Sequence, residues 1–130
     1  EIAKIKSPFE PSLKNTTYEY FVDKNGTINL MKNAKFISNN KDFNQMHELK
    51  RVNLNNTALM KIERFPKDRL HNIVKVDDEY KYALIFGGDT GELYMLSRTK
   101  SMPEPIKAIY FNHAKNMGFN TSKIVPTEQQ

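Results

Sequence analysis

Three histidines and one acidic run carry most of the chemical potential of this chain, and their spacing organises little of it. His47, His71 and His113 fall on different predicted elements, without the His-x-His or His-x-x-His spacing that brings two imidazoles to one metal. Each reads as a structural histidine, His113 near the apolar side of a predicted helix. Asp77, Asp78 and Glu79 crowd one turn, which suits solvation better than the separated acid and base of glycoside hydrolysis. Asp23-Lys24-Asn25-Gly26 opens like a calcium loop, but Ala34 and Lys35 stand where its last acidic ligand belongs. Gly87-Gly88-Asp89-Thr90-Gly91 lacks the following Lys-Ser/Thr of a phosphate loop and reads as a hairpin connection. With no Cys, the sequence holds no thiol nucleophile, disulfide or cysteine metal site. No metal, cofactor or catalytic group is expected.

Composition narrows the partners. Lys and Arg exceed Asp and Glu by 20 to 15 in 130 residues, for a net charge of +5 that favours anionic partners. The excess is spread along the chain. Its densest stretch, Lys61 to Arg69, still contains Glu63 and Asp68, and no basic helix or aromatic platform for nucleic acid is present. Without an apolar run long enough to span a bilayer, the chain reads as one soluble globular domain, residues 1–130.

The elements that must position any site are mostly strands. Thr16, Tyr18, Tyr20 and Val22 alternate with Thr17, Glu19 and Phe21; Asp23 to Gly26 then supplies turn chemistry before Thr27 to Met31, predicting a hairpin. Asn39 to Asn44 reads as a polar loop, followed by a strand over Glu48 to Leu54 and a turn at Asn55-Asn56. Further strands are predicted at Ala58 to Glu63, Leu70 to Val76, Tyr80 to Phe86 and Glu92 to Arg98. The period then changes. Ile106, Ile109, Tyr110, Ala114 and Met117 recur at three and four and predict one amphipathic helix. A capping box at Ser101 to Glu104, or Pro105 as first residue, would start it, and Gly118 would stop it. A short strand follows at Lys123 to Val125. About seven antiparallel strands, one late helix and a terminal strand fit a closed barrel, which removes both sheet edges; the pattern leaves a β-sandwich open.

Several separated stretches then match one family in one order. Glu1-Ile2-Ala3-Lys4-Ile5, the run from Val76-Asp77-Asp78-Glu79-Tyr80 to Ile85, Leu93-Tyr94-Met95-Leu96-Ser97-Arg98-Thr99, and Gly118-Phe119-Asn120-Thr121-Ser122-Lys123 resemble the lipocalins, in particular the bacterial outer-membrane and apolipoprotein D-like members. The resemblance implies an all-β fold, an eight-stranded antiparallel up-and-down barrel with one C-terminal α-helix packed outside and a short terminal strand. It also implies structural roles for Asp77 and Arg98. In relatives that arginine closes one barrel end against a Trp from a Gly-x-Trp segment; this sequence has no Trp. The expectation is a first strand incomplete at its N-terminus.

What the resemblance implies for function is binding, storage or transport of a fatty acid or lysophospholipid in the cell envelope. The protein would face the periplasm from the outer membrane or be soluble in the periplasm, with possible attachment through an N-terminal lipid anchor. It would act as a monomer or homodimer, with no nucleic acid. Candidate wall residues are same-face sets on three strands: Tyr18, Tyr20 and Val22; Met60 and Ile62; and Tyr82, Leu84 and Phe86. Met31, Met60 and Met95 could adapt a pocket to varied chains. Lys67 and Arg69 are candidate rim cations, each also readable as a solvated surface residue. The alternatives are an envelope interaction module or structural barrel with a filled interior and, less favoured, a lipid-modifying enzyme.

Overall fold

The computed structural model describes residues 1–5, 11–53, 56–63, 68–87 and 91–129. Among the described residues, nine strands form one antiparallel sheet: β1 Ala3–Ile5, β2 Leu13–Val22, β3 Ile28–Phe36, β4 Asp42–Asn53, β5 Asn56–Ile62, β6 Arg69–Val76, β7 Tyr82–Phe86, β8 Leu93–Ser97 and β9 Val125–Pro126. A helix, α1 Glu104–Asn116, lies between β8 and β9. Strands β2 to β8 pair with their sequence neighbours as a meander, and β1 then pairs with β8 on one side and β9 on the other. The two sheet edges meet. Asn15 N donates to Glu128 O at 2.8 Å, and Glu1 N donates to Thr16 O at 2.8 Å, so β2 returns to the strands at the far edge.

The count is nine strands where eight were expected, and the physical reason lies in β1. Three residues carry no readable period, and Lys4 breaks the apolar run although it is buried at 5% exposure. Strand β4 also starts earlier than the sequence suggests. Asp42, Asn44 and Gln45 have weak strand propensity, yet β3 imposes pairing from Lys35↔Asp42 to Ile28↔Leu49, helped by a Lys35–Asp42 hydrogen bond of 2.8 Å. Leu54 and Asn55 lie outside the described residues. At the other end of the chain, Thr121–Lys123 is a 3-10 turn capped by Asn120, so the terminal strand starts at Val125 instead of Lys123.

Two apolar clusters occupy opposite sides of the sheet. On the outside, α1 covers β1, β7 and β8: Leu84, Phe86, Leu93 and Met95 pack with Tyr110, Ala114 and Phe119. Ile106 and Phe111 join them, whereas Ile109 and Met117 are exposed, which corrects the helix face expected from spacing. Inside, Leu30, Leu49, Met60 and Ile62 form a second cluster, against which Tyr18, Tyr20, Ile28 and Ile73 pack. The helix starts at Pro103 with no side-chain cap. Pro103 and Pro105 lack N–H groups, so the expected capping box has fewer orphan donors to satisfy. It ends on Gly118 at φ +95°, where Phe119 N donates to Ala114 O at 3.0 Å and Gly118 N to Lys115 O at 3.1 Å.

Two hairpin turns share one design. In each, an Asp opens the turn: Asp23 Oδ1 accepts from Asn25 N and Thr27 N, and Asp77 Oδ1 accepts from Lys81 N and Tyr82 N. Equivalent backbone bonds join Gly26 N to Asp23 O and Tyr80 N to Asp77 O, both at 3.0 Å. The left-handed residue is Gly26 at φ +78° in one turn and Tyr80 at φ +57° in the other. A side chain with a Cβ is strained there. Tyr80→Gly is expected to raise stability by about 0.5–1 kcal/mol, and Gly118→Ala to lower it by about 1 kcal/mol. Urea melts of the two variants against the parent check the opposite signs.

Candidate ligand-binding site

Alternation along the strands decides which side chains face the barrel interior. From β2 the inward set is Tyr18 and Tyr20, which pair with Lys32 and Leu30 on β3. Met60 and Ile62 on β5 pair with His71 and Arg69 on β6, and Ile73 pairs with Ile85 on β7. Ile85 and Ala83 in turn face Tyr94 and Leu96 on β8. The interior thus receives both apolar and charged groups, and they separate into two layers.

The apolar layer encloses a cavity of about 380 Å³. Tyr20, Ile73, Ala83, Ile85 and Leu96 form walls, with Tyr18 and Glu1 at its inner side. It reaches the barrel end built by the Asp77–Lys81 turn, where Tyr80, Lys81 and Arg98 line it. Val22 and Val76, at the strand ends there, are 66% and 50% exposed. Such a volume, with aliphatic and tyrosine walls and charged groups from Glu1, Lys81 and Arg98, suits a small molecule.

The charged layer lies beyond Tyr18. Lys32 Nζ is 5.7 Å from the ring centroids of both Tyr18 and Tyr94, and Arg69 Cζ is 5.8 Å from that of Tyr94. Arg69 Nε pairs with Glu92 at 2.8 Å, and its guanidinium also bonds the Tyr94 hydroxyl. Glu1 Oε1 accepts from Tyr18 Oη at 3.3 Å, its other carboxylate oxygen accepts from the Thr127 hydroxyl, and Lys4 Nζ lies 3.7 Å away. Opposite charges so close keep buried ions from standing uncompensated.

His71 belongs to the interior as well. It is buried, and 2.8 Å separates its Nε2 from Tyr20 Oη. Burial, followed by the Arg69 and His47 charges, pushes its pKa down to about 4, so the ring is neutral at pH 7. Burial raises the Tyr20 hydroxyl above the usual phenol range. Asp23 and Asp77 are held below the usual carboxylate range by backbone N–H donors, Thr27 and Tyr82 contributing most.

Of the sequence-predicted wall residues, Tyr18 and Tyr20 line the cavity, and Met60 and Ile62 lie in the inner cluster beside it. Val22 lies at the exposed end of the same face of β2. Tyr82 contributes to the cavity lining, but Leu84 and Phe86 pack under the helix, where His113 stacks on Phe86 at 5.8 Å and 15°. The inward side of β7 is instead Ala83 and Ile85. Both faces of this strand are apolar, so alternation alone did not identify the interior. Met95 also lies under the helix, and Met31 pairs across the sheet with Met46.

Arg69, read as a rim cation, is half-buried in its pair with Glu92. Lys67 and the Gly88 to Thr90 segment lie outside the described residues. Asp77 organises its turn. Arg98 Nε donates to Tyr80 O at 2.9 Å, and the cavity reaches it. The barrel end that the resemblance closes is thus lined by the cavity. The buried charges on Lys4 and Lys32 were not singled out, because charge on a strand ordinarily marks the solvent face.

The His71 shift gives stability a pH dependence. The fold favours the neutral ring, while the unfolded chain takes up a proton near the ordinary value of 6.5. Stability is therefore full above that value and falls as pH drops toward about 4, by on the order of 3 kcal/mol at most. Asp23 and Asp77 add a separate loss at lower pH, as protonation passes through their depressed values. Urea melts at neutral pH and midway through the His71 window check this: His71→Gln should flatten the upper window and leave the acid one.

Comparison with known proteins places this geometry. Residues 1–129 match the lipocalin-like domain family. The outer membrane lipoprotein Blc of Citrobacter freundii is 30% identical over 138 residues, covering 99% of this chain and 73% of that protein. Blc of Escherichia coli strain K12 is 29% identical with the same coverage. Among solved structures, H1 crustacyanin of the lobster Homarus americanus superposes with a TM-score of 0.77 at 16% identity, covering all of this chain and 74% of that one. The siderocalin Ex-FABP gives 0.65 at 14% identity, covering 99% and 90%. These two likenesses concern the fold. A family match over nearly all the residues, together with a nine-stranded sheet whose edges meet and a helix packed outside, shows that the chain belongs to the lipocalin family.

Proposed function

We propose that this protein binds and carries a fatty acid or lysophospholipid in the cell envelope, holding its apolar chain out of water. The family is one of binding proteins, and the chain is a binder and not an enzyme. The cavity of about 380 Å³ carries the reading. Tyr20, Ile73, Ile85 and Leu96 offer apolar surface on several sides, and each methylene moved from water to such walls contributes about 0.8 kcal/mol. No bond need be made or broken for this service.

The relatives bear on location. Proteins 29–30% identical to this chain are outer membrane lipoproteins, which supports a place at the outer membrane facing the periplasm, or a soluble periplasmic form. A lipid tether N-terminal to Glu1 belongs to the same reading, as does assignment to the apolipoprotein D-like branch. Residues 1–130 would act as one domain, as a monomer or homodimer.

Denaturing extraction followed by lipid mass spectrometry, with direct titration of fatty acid and lysophospholipid, tests the proposal. A repeated co-purifying amphiphile and saturable binding are expected. Neither would be found for a barrel that serves only as an interaction module. Ala83→Leu adds three carbons to the cavity wall and is expected to weaken binding about tenfold, with a stability change of about 1 kcal/mol. Unchanged affinity in a folded variant would move the site elsewhere.

A further inference from the structure

Resting on that reading, we infer that the hydrogen bond between Tyr20 and His71 fixes an inner wall of the barrel and makes this pair the determinant of ligand width, accepting one unbranched apolar chain and rejecting branched ones. Tyr20 stands on β2 and His71 on β6, with β3, β4 and β5 between them one way round the barrel and β7, β8, β1 and β9 the other way. Their side chains meet inside, with Oη and Nε2 2.8 Å apart and 5.6 Å between ring centroids. The pair is thus a chord across the lumen, and it divides the lumen whichever end admits the ligand.

Its two sides differ. On one, Leu30, Leu49, Met60 and Ile62 from β3, β4 and β5 pack together, each at most 6% exposed. On the other is the void, walled by Ile73, Ile85 and Leu96 and lined by no described residue of β3, β4 or β5. Tyr20 belongs to both, packed on the inner cluster and lining the void. It is the wall between a filled compartment and an empty one.

Such a wall needs an anchor, and His71 supplies it. Among the described residues His71 is the hydrogen-bond partner of the Tyr20 hydroxyl, and burial keeps both groups neutral. Without the imidazole, a buried hydroxyl would stand unsatisfied, which favours rotation of Tyr20 toward another partner. Met60 pairs with His71 across β5 and β6, and its flexible side chain can yield to the displaced ring. The void then widens toward β5. His71 does not itself line the void, so it is a positioning residue that acts through Tyr20.

Calorimetric titration of the intact protein with hexadecanoic acid and its tetramethyl-branched analogue, phytanic acid, each free and as the lysophospholipid, tests this. Head and main chain are the same in both, so the ratio of affinities isolates width. The parent should bind the linear chain at least about tenfold tighter, the scale on which a pocket discriminates one methylene. His71→Leu keeps apolar bulk without the imidazole, and Tyr20→Phe keeps the ring without the hydroxyl; each should bring the ratio within about threefold. His71→Gln returns an amide to the Tyr20 hydroxyl and should restore the preference, as a general loss of stability would not. Equal affinity of the parent for both chains overturns the width selection. An unchanged ratio in either folded variant, or a His71→Gln ratio as low as that of His71→Leu, overturns the role of the pair. Failure of every one of these ligands to bind the parent would instead remove the carrier reading beneath it.

Discussion

Closure of the sheet is the constraint from which the rest follows. A nine-stranded sheet left open would expose a row of unpaired N–H and C=O groups on β2 and another on β9, each a site for pairing with a foreign strand. The chain meets this with few residues. Lys14 bridges Glu128, Asn15 N reaches the Glu128 carbonyl, and Glu1 N reaches the Thr16 carbonyl. Asn15 takes φ +53°, and the register of β2 shifts between Lys14 and Thr17 at the same place. A bulge bends a strand and sharpens its twist, which is what β2 needs to meet the opposite edge. The Glu1 side chain then joins Tyr18 of β2 and Thr127, next to β9, to the same point. An interior exists because this seam holds.

Once closed, the barrel must decide what fills it. Packed solid with aliphatic side chains, it would be stable and would bind nothing. Here part of the interior is given to ions. Pairing Arg69 with Glu92 and Lys4 with Glu1 compensates charge that would otherwise be costly to bury, and the Tyr18 and Tyr94 rings face Lys32. These long side chains support one another across the barrel and form a floor. Another part, walled by Ile73, Ile85 and Leu96, is left with a void. The charged layer therefore does not compete with the apolar cavity; it limits its depth.

The same logic explains how much the sequence disclosed. Strands and turns were readable where one face meets water, as on β2, where Tyr18 and Tyr20 alternate with Glu19, and at Asp23 to Gly26. Gly118 was readable as a helix stop, since few other residues accept φ +95°. On β7, helix outside and cavity inside make both faces apolar, so Tyr82, Leu84 and Phe86 were indistinguishable by type from Ala83 and Ile85. On β1, the burial of Lys4 against Glu1 was not legible, because the site that buries this pair exists only in the closed barrel. The start of β4 was hidden because its pairing with β3, and not the propensity of Asp42 or Asn44, makes it a strand. What escaped the sequence was information carried by neighbours distant in the chain.

The two Asp-opened turns show where the fold tolerates local cost. Both stand at the cavity's end of the barrel and are held by an Asp side chain that accepts from backbone N–H groups, yet only the Asp23 turn uses glycine at its left-handed position. Tyr80 keeps a full side chain there, at about 1–2 kcal/mol for the backbone alone, and is 67% exposed, so burial returns little of that cost. Three features meet at this residue: its carbonyl receives Arg98, its side lines the cavity, and its turn is fixed by Asp77. Strain that core packing does not repay and that lies against a cavity is the kind that function maintains. The Asp23 turn, with no cavity to line, carries glycine and no strain.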